Sequence, residues 1–140
     1  MNATASNKLA LRNALEAHAR GEIEPMRALL DQDFISEIHG PAELFRWAGH
    51  REGITNAIAT VSEIATEYTI HSHRIVEFVE EGEIVWVRGI LDVSSHKTLR
   101  QATFPLAGRW CFRDGKALSA EWYFDSAMLA SKLGLEDRAR

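Results

Sequence analysis

The feature that most constrains this chain is a change of period at Thr66. Before it, apolar residues recur every three to four positions; after it, they alternate with polar ones. Four alternating runs follow, at residues 67–79, 83–94, 98–113 and 116–124. The links between them are very short: Glu80-Glu81-Gly82, Ser95-His96-Lys97 and Asp114-Gly115. Asp-Gly between two β-rich runs is a strong hairpin signal. Links of this length leave no room for a crossover, so the four runs must pair antiparallel.

The first third reads as helix. Leu11, Ala14, Leu15 and His18 form one apolar face, with Ser6 or Asn7 as cap and Gly21 as stop. A short second helix carries Pro25 in its first turn and Met26, Leu29 and Leu30 on its buried side. An extended run covers 33–39 and ends at Gly40-Pro41; residues 42–49 read as loop. A third helix starts near 51–53 and presents Ile54, Ala57, Ile58, Val61 and Ala65. A closing helix at 126–133 stops at Gly134. Helices followed by a meander give an α+β fold of two layers. Long strands must coil. A curved antiparallel sheet with N-terminal helices packed over its concave face therefore encloses a cone-shaped apolar cavity. One domain over 1–140 is expected, since 140 residues suffice for one real core.

Several functions are disfavoured at once. A net charge of -4 gives no general attraction to nucleic acid or to an anionic membrane. No apolar stretch is long enough to span a bilayer. The start, Met1 to Asn7, lacks the pattern of a signal peptide, so a cytoplasmic location is expected. The single cysteine, Cys111, stands between Trp110 and Phe112 and reads as a buried inert thiol. No glycine-rich phosphate loop, nucleophile elbow or dinucleotide fingerprint is present, and no cofactor is expected. His71 and His73 lie two apart, but two imidazoles alone make no metal site.

Three stretches carry a resemblance to a known family. They are residues 110–125, with the Asp114-Gly115 turn and the closing Glu121, Trp122, Tyr123, Phe124 and Asp125; residues 28–34; and residues 47–54, entering the third helix from Trp47. With the order of elements, they resemble the nuclear transport factor 2-like superfamily, in its SnoaL-like, ketosteroid isomerase-related branch. The resemblance implies a cone-shaped fold, a small-molecule site and a homodimer through the outer sheet face. It does not imply one reaction, because this fold hosts isomerases, dehydratases, epoxide hydrolases, cyclases and binders. Ketosteroid isomerase, itself a standard worked example, uses a carboxylate base with a tyrosine and a protonated acid as oxyanion hole. In this chain the base position falls on Ile38, the tyrosine on Ala14 and the acid on or near Gly108. The arginine–aspartate pair of limonene epoxide hydrolase has a poor counterpart in Arg88 and Asp92, which lie four apart.

Within this frame the candidates are few. Trp122 and Phe124 alternate with Glu121, Tyr123 and Asp125, so with Leu118 and Ala120 they face the cavity, either as core or as ligand wall. Trp110 does the same on the preceding strand, and Trp47 approaches from the loop. Arg88 shares a face with Trp86, Ile90 and Asp92. Pointing inward, it would anchor a carboxylate or an enolate oxygen; the outward register is favoured. Histidine is the natural acid/base at neutral pH. His39 ends the first strand and His50 enters the third helix, so both are catalytic candidates with Asp125, although Asp125 also suits a helix N-cap. His18 reads as a core histidine, and His71, His73 and His96 as surface residues. The leading expectation is a cofactor-free isomerase, cyclase or lyase acting on a small apolar carbonyl compound. A binder of a small apolar or aromatic molecule and a dimeric scaffold are the alternatives.

Overall fold

The computed structural model describes residues 6–135. Helix α1 (Asn7–Ala19) starts where the Ser6 side chain accepts the Leu9 N–H and buries Leu11, Ala14, Leu15 and Ala17. Helix α2 (Glu24–Leu29) follows, with Met26 and Leu29 buried. The chain then turns directly into strand β1 (Leu30–Ile38). Strand β2 (Gly49–Glu52) precedes helix α3 (Ile54–Glu67). The meander is β3 (Tyr68–Glu81), β4 (Ile84–Ser95), β5 (Gln101–Arg113) and β6 (Lys116–Phe124), and helix α4 (Ser126–Leu133) closes the order.

The six strands form one curved, unclosed sheet in the order β2-β1-β6-β5-β4-β3, with the N-terminal helices beside it, so the fold class is the α+β one read from the sequence. Two details differ. The sheet is not wholly antiparallel, because β1 runs parallel to β6. The long excursion through β2, α3 and the meander lets β6 return in the same direction as β1. Strand β2 lies where the sequence pattern suggests loop and helix start; it pairs His50 with Glu37 and Arg51 with Ser36. Four residues carrying a glycine, a histidine and two charges leave no alternation to detect.

Buried side chains fall into two clusters. One joins α1 and α2 to Phe34, Val85, Val87, Trp110 and Phe112. The other joins Phe45, Trp47, Tyr68, Val93, Phe104, Leu129 and Leu133. The inner face of β5 and β6 runs from one cluster to the other. Gly108 sits midway along it, opposite Trp122. A Cβ there would stand 2.7 Å from two atoms of the Trp122 ring, so only glycine lets the indole lie across the sheet. Bulges adjust the phase at two places that alternation alone misplaces. Between Cys111 and Phe112 of β5 the register to β6 slips, and Ala117, fully buried, takes the inward place expected for Leu118. On β3 the register to β4 slips twice, between Ile70 and Ser72 and between Ile75 and Glu77. Pro105 brings no bulge to the β4–β5 ladder; it lies just past the point where β6 ends opposite Leu106.

Candidate functional site

A cavity of about 700 Å³ opens between the concave sheet face and the helices. That is within the usual size of a small-molecule site. Its floor carries Phe104, Leu106, Trp110, Ala120, Trp122 and Phe124 from β5 and β6, with Leu91 and Val93 from β4. Leu15 and His18 of α1 and Ala57, Ile58, Val61 and Ile64 of α3 form the opposite wall. Trp47, Tyr68, Leu129 and Leu133 close one end. No Asp, Glu, Lys or Arg lines it among the described residues. Its polar groups are Ser36, Thr60, Tyr68, Ser72 and three histidines: His18, His71 and His73.

The histidines arrive by specific local devices. His18 is in the last turn of α1, on the face that buries Leu11, Ala14 and Leu15. Its Nε2 is buried with no hydrogen bond among the described residues. Burial pushes its pKa below the usual 6.5. His73 reaches the cavity because the first β3 bulge shifts the phase by one, setting it opposite Leu91 on the inner face. Its Nε2 lies near the surface of Gly89, 3.8 Å from where a Cβ would be. Burial, and next the charge of a protonated His18, hold the His73 pKa below 6.5. Both rings are therefore predominantly neutral at pH 7, and protonation of one disfavours protonation of the other. His71, at the bulge itself, bonds through Nε2 to the Ser94 hydroxyl at 2.6 Å.

Of the residues singled out from the sequence, Trp47, Trp110, Trp122 and Phe124 line this cavity. The Trp47 ring is 5.8 Å from Phe124 and the Trp110 ring 6.1 Å from Trp122. His39, His50, Asp125 and Arg88 do not line it. His39 follows the end of β1 on the outer side, 3.0 Å from Glu121 and stacked on Tyr123 at 4.6 Å. His50 pairs with Glu37, an outward position of β1, and is bonded by Glu52 at 3.1 Å and Glu37 at 3.2 Å. The Glu52 bond first, then the Glu37 bond, raises its pKa above 6.5. Asp125 caps α4, its carboxylate accepting the Met128 N–H at 3.0 Å. Arg88 takes the outward register, opposite Ala107, and borders a shallow outer-face depression with Pro105 and Tyr123. Cys111 is half-buried on that outer face, where the Arg109 guanidinium donates to its sulfur at 3.0 Å.

The sequence reads His71 and His73 as surface residues because their strand is expected to be partly exposed; His71 is exposed while also lining the cavity, and His73 is half-buried in its wall. One signal did exist. Ile70 and Ile75 are five apart and Ile75 and Phe78 three apart. Odd spacings between apolar residues of one face require an extra residue in each interval, and these are the two observed slips.

Comparison with known proteins agrees with this architecture. The structure resembles a nuclear transport factor 2-like protein of unknown function from Burkholderia pseudomallei, with a TM-score of 0.79 and 26% identity, over 92% of this chain and 98% of that one. It also resembles a candidate SnoaL-like polyketide cyclase from Mesorhizobium loti, with a TM-score of 0.69 and 15% identity, over 85% and 99% of the two chains. A third neighbour is a hypothetical protein with a ketosteroid isomerase-like fold from Catenulispora acidiphila in complex with trimethylamine, with a TM-score of 0.74 and 12% identity, over 89% and 92%. No protein of curated function matches the chain. The SnoaL-like domain model matches residues 11–120, most of the length, and the chain belongs to the SnoaL-like domain family.

Proposed function

We propose that this protein is a cofactor-free isomerase, cyclase or lyase that moves a proton on a small, largely apolar carbonyl compound held in the cavity. The observation that carries the reading is that His18 and His73, both held below 6.5, line one cavity without carboxylates or fixed cations. A neutral imidazole there accepts a proton from the carbon beside a carbonyl. The imidazolium so formed is poorly solvated, so it is a ready acid and returns the proton to another atom of the same substrate. Repulsion between the two charges disfavours protonation of both rings at once. The three positions matched to the ketosteroid isomerase set are Ile38, Ala14 and Gly108. Ile38 lines the cavity, Ala14 is in the core and Gly108 lies beneath Trp122. Steroid isomerisation by that set is thus replaced by histidine chemistry in this reading.

The test is turnover on a panel of enolisable ketones and hydroxy-ketones. General acid–base catalysis contributes about 10²–10⁴-fold, so His73→Ala should lose about that much. His39→Ala, His50→Ala and Asp125→Ala should stay within about threefold of wild type, on the same grounds. Activity that survives His18→Ala and His73→Ala but fails with His39→Ala or His50→Ala would return catalysis to the outer face. The loss of the isomerase set also favours a second reading, a binder that leaves its ligand unchanged; turnover of any cavity ligand excludes it. We further propose that two copies pair through the outer sheet face, where Trp86, Tyr123 and Ile35 stay about two-fifths exposed.

A further inference from the structure

Glycine inside an element gives up packing and costs stability, so it is kept where the backbone needs it or where something must come close. Six of the nine glycines of this chain have positive φ, and the backbone accounts for them. The other three are Gly40, Gly89 and Gly108, whose backbone does not demand glycine. Each lies beside a ring that lines the cavity. A Cβ on Gly108 would come within 2.7 Å of Cε3 and Cζ3 of Trp122 and 2.9 Å of Cδ2. A Cβ on Gly40 would stand 3.2 Å from Cζ and 3.4 Å from Cε1 of Phe124. At Gly89 a Cβ would press on the Arg74 carbonyl oxygen and Ile75 Cδ1 at 3.3 Å, but would meet His73 Nε2 at an ordinary 3.8 Å. Gly40 and Gly108 are therefore the two whose missing side chain is filled by a ring. Those rings, Phe124 and Trp122, belong to the cavity floor. They differ in freedom. Phe124 is flanked by Phe45, Trp47 and Phe104, with centroids 5.5, 5.8 and 5.9 Å away. Trp122 meets Trp110 edge-on at 6.1 Å and borders the open cavity. A methyl group on Gly108 thus lifts the indole off the sheet, into the space a ligand takes.

Resting on the proton-transfer reading and deepening it, we infer that Gly108, supported by Gly40, is a specificity-determining residue. By letting Trp122 sink onto the sheet it sets the largest substrate the cavity admits. A low floor leaves room for a bulky ketone beside the imidazoles. A raised floor keeps small ketones and excludes large ones. The glycines then set substrate size, whereas the histidines handle the proton.

The test uses cyclohexanone, cyclooctanone and cyclodecanone, which share one carbonyl group and differ in bulk. Affinity is read by NMR titration, and proton transfer separately by deuterium exchange in D₂O. Wild-type affinity should rise along the series, because each larger ring buries more apolar surface. Gly108→Ala should keep the affinity for cyclohexanone and cut that for cyclodecanone about tenfold or more, the order of one misfitting methylene in an apolar site. Gly40→Ala should change the series in the same sense and by less. Trp122→Phe, placed in the Gly108→Ala background, supplies a smaller ring and should restore most of the cyclodecanone affinity. A purely structural role for Gly108 would weaken all three ketones alike and would not be relieved at Trp122; that outcome overturns the inference. Should Gly108→Ala fail to fold, Gly40→Ala and the double variant decide the same comparison. Binding without exchange would remove the proton-transfer reading and leave the size limit to be decided by the variants. Absence of binding by all three ketones overturns both this inference and the substrate class proposed above.

Discussion

At the scale of single residues, the proposed chemistry turns on which imidazoles are neutral. His18 and His73 are held below 6.5 and His50 above it, by burial in the first two and by Glu52 and Glu37 in the third. The consequences for stability have opposite signs. The unfolded chain binds protons at His18 and His73 more readily than the native one, so acidification through 6.5 removes stability there. At His50 the native state binds the proton more readily, so its contribution is full below 6.5 and is lost as pH rises through the folded value. Histidine ring signals in an NMR titration should therefore show His50 titrating last on acid-to-base titration, after His18 and His73. His73→Gln should flatten the acid side of a melting-temperature profile, and His50→Gln the side above 6.5. Gly108→Ala makes a steric prediction. Its Cβ overlaps the Trp122 ring, and overpacking of this kind costs about 1–3 kcal/mol. Chemical denaturation checks this, and an unchanged midpoint would mean that Trp122 has room to move.

At the scale of elements, α3 is the least anchored wall of the site. Thr60 is its one buried residue among those described, and Val61 is 36% exposed. Ala57, Ile58, Val61 and Ile64 line the cavity, and of these Ala57 and Ile64 also pack against the core clusters. Elements with few buried contacts open locally at low cost. Backbone amides of α3 should exchange with solvent faster than those of β4 and β5, and a cavity ligand should slow α3 selectively; uniform protection would contradict this. Periodicity revealed α1, the meander and α4, because each has a long apolar face and a clear turn or cap. It missed β2, which is too short to show a period. It mis-phased His73 and Leu118, because a bulge turns the side chains beyond it to the other face and leaves only an odd spacing as its trace. The aromatic half of the candidate site was therefore legible and the imidazole half was not. Trp47, Trp110, Trp122 and Phe124 follow from pattern and family resemblance, whereas the facing of His71 and His73 depends on β3 pairing with β4.

At the scale of the whole molecule, the curved sheet has two faces with different chemistry. The inner face bears apolar rings and imidazoles. The outer face bears hydrogen-bonded polar groups, Glu121 with His39 and His50 between Glu37 and Glu52, beside exposed Trp86 and Tyr123 whose rings lie 6.2 Å apart. If that outer face pairs two copies as proposed, sedimentation should give a dimer mass that Trp86→Glu converts to monomer without loss of turnover. None of the described helices is long and apolar enough to cross a membrane. The central claim, that the inner face moves a proton by histidine, is tested most directly by deuterium wash-in. With 2-tetralone in D₂O at neutral pD, the protein should accelerate exchange at the carbon beside the carbonyl. His73→Ala should remove most of that acceleration, and His39→Ala and His50→Ala should keep it. Exchange no faster than in buffer, or acceleration that persists in the His18→Ala/His73→Ala double variant, would contradict it.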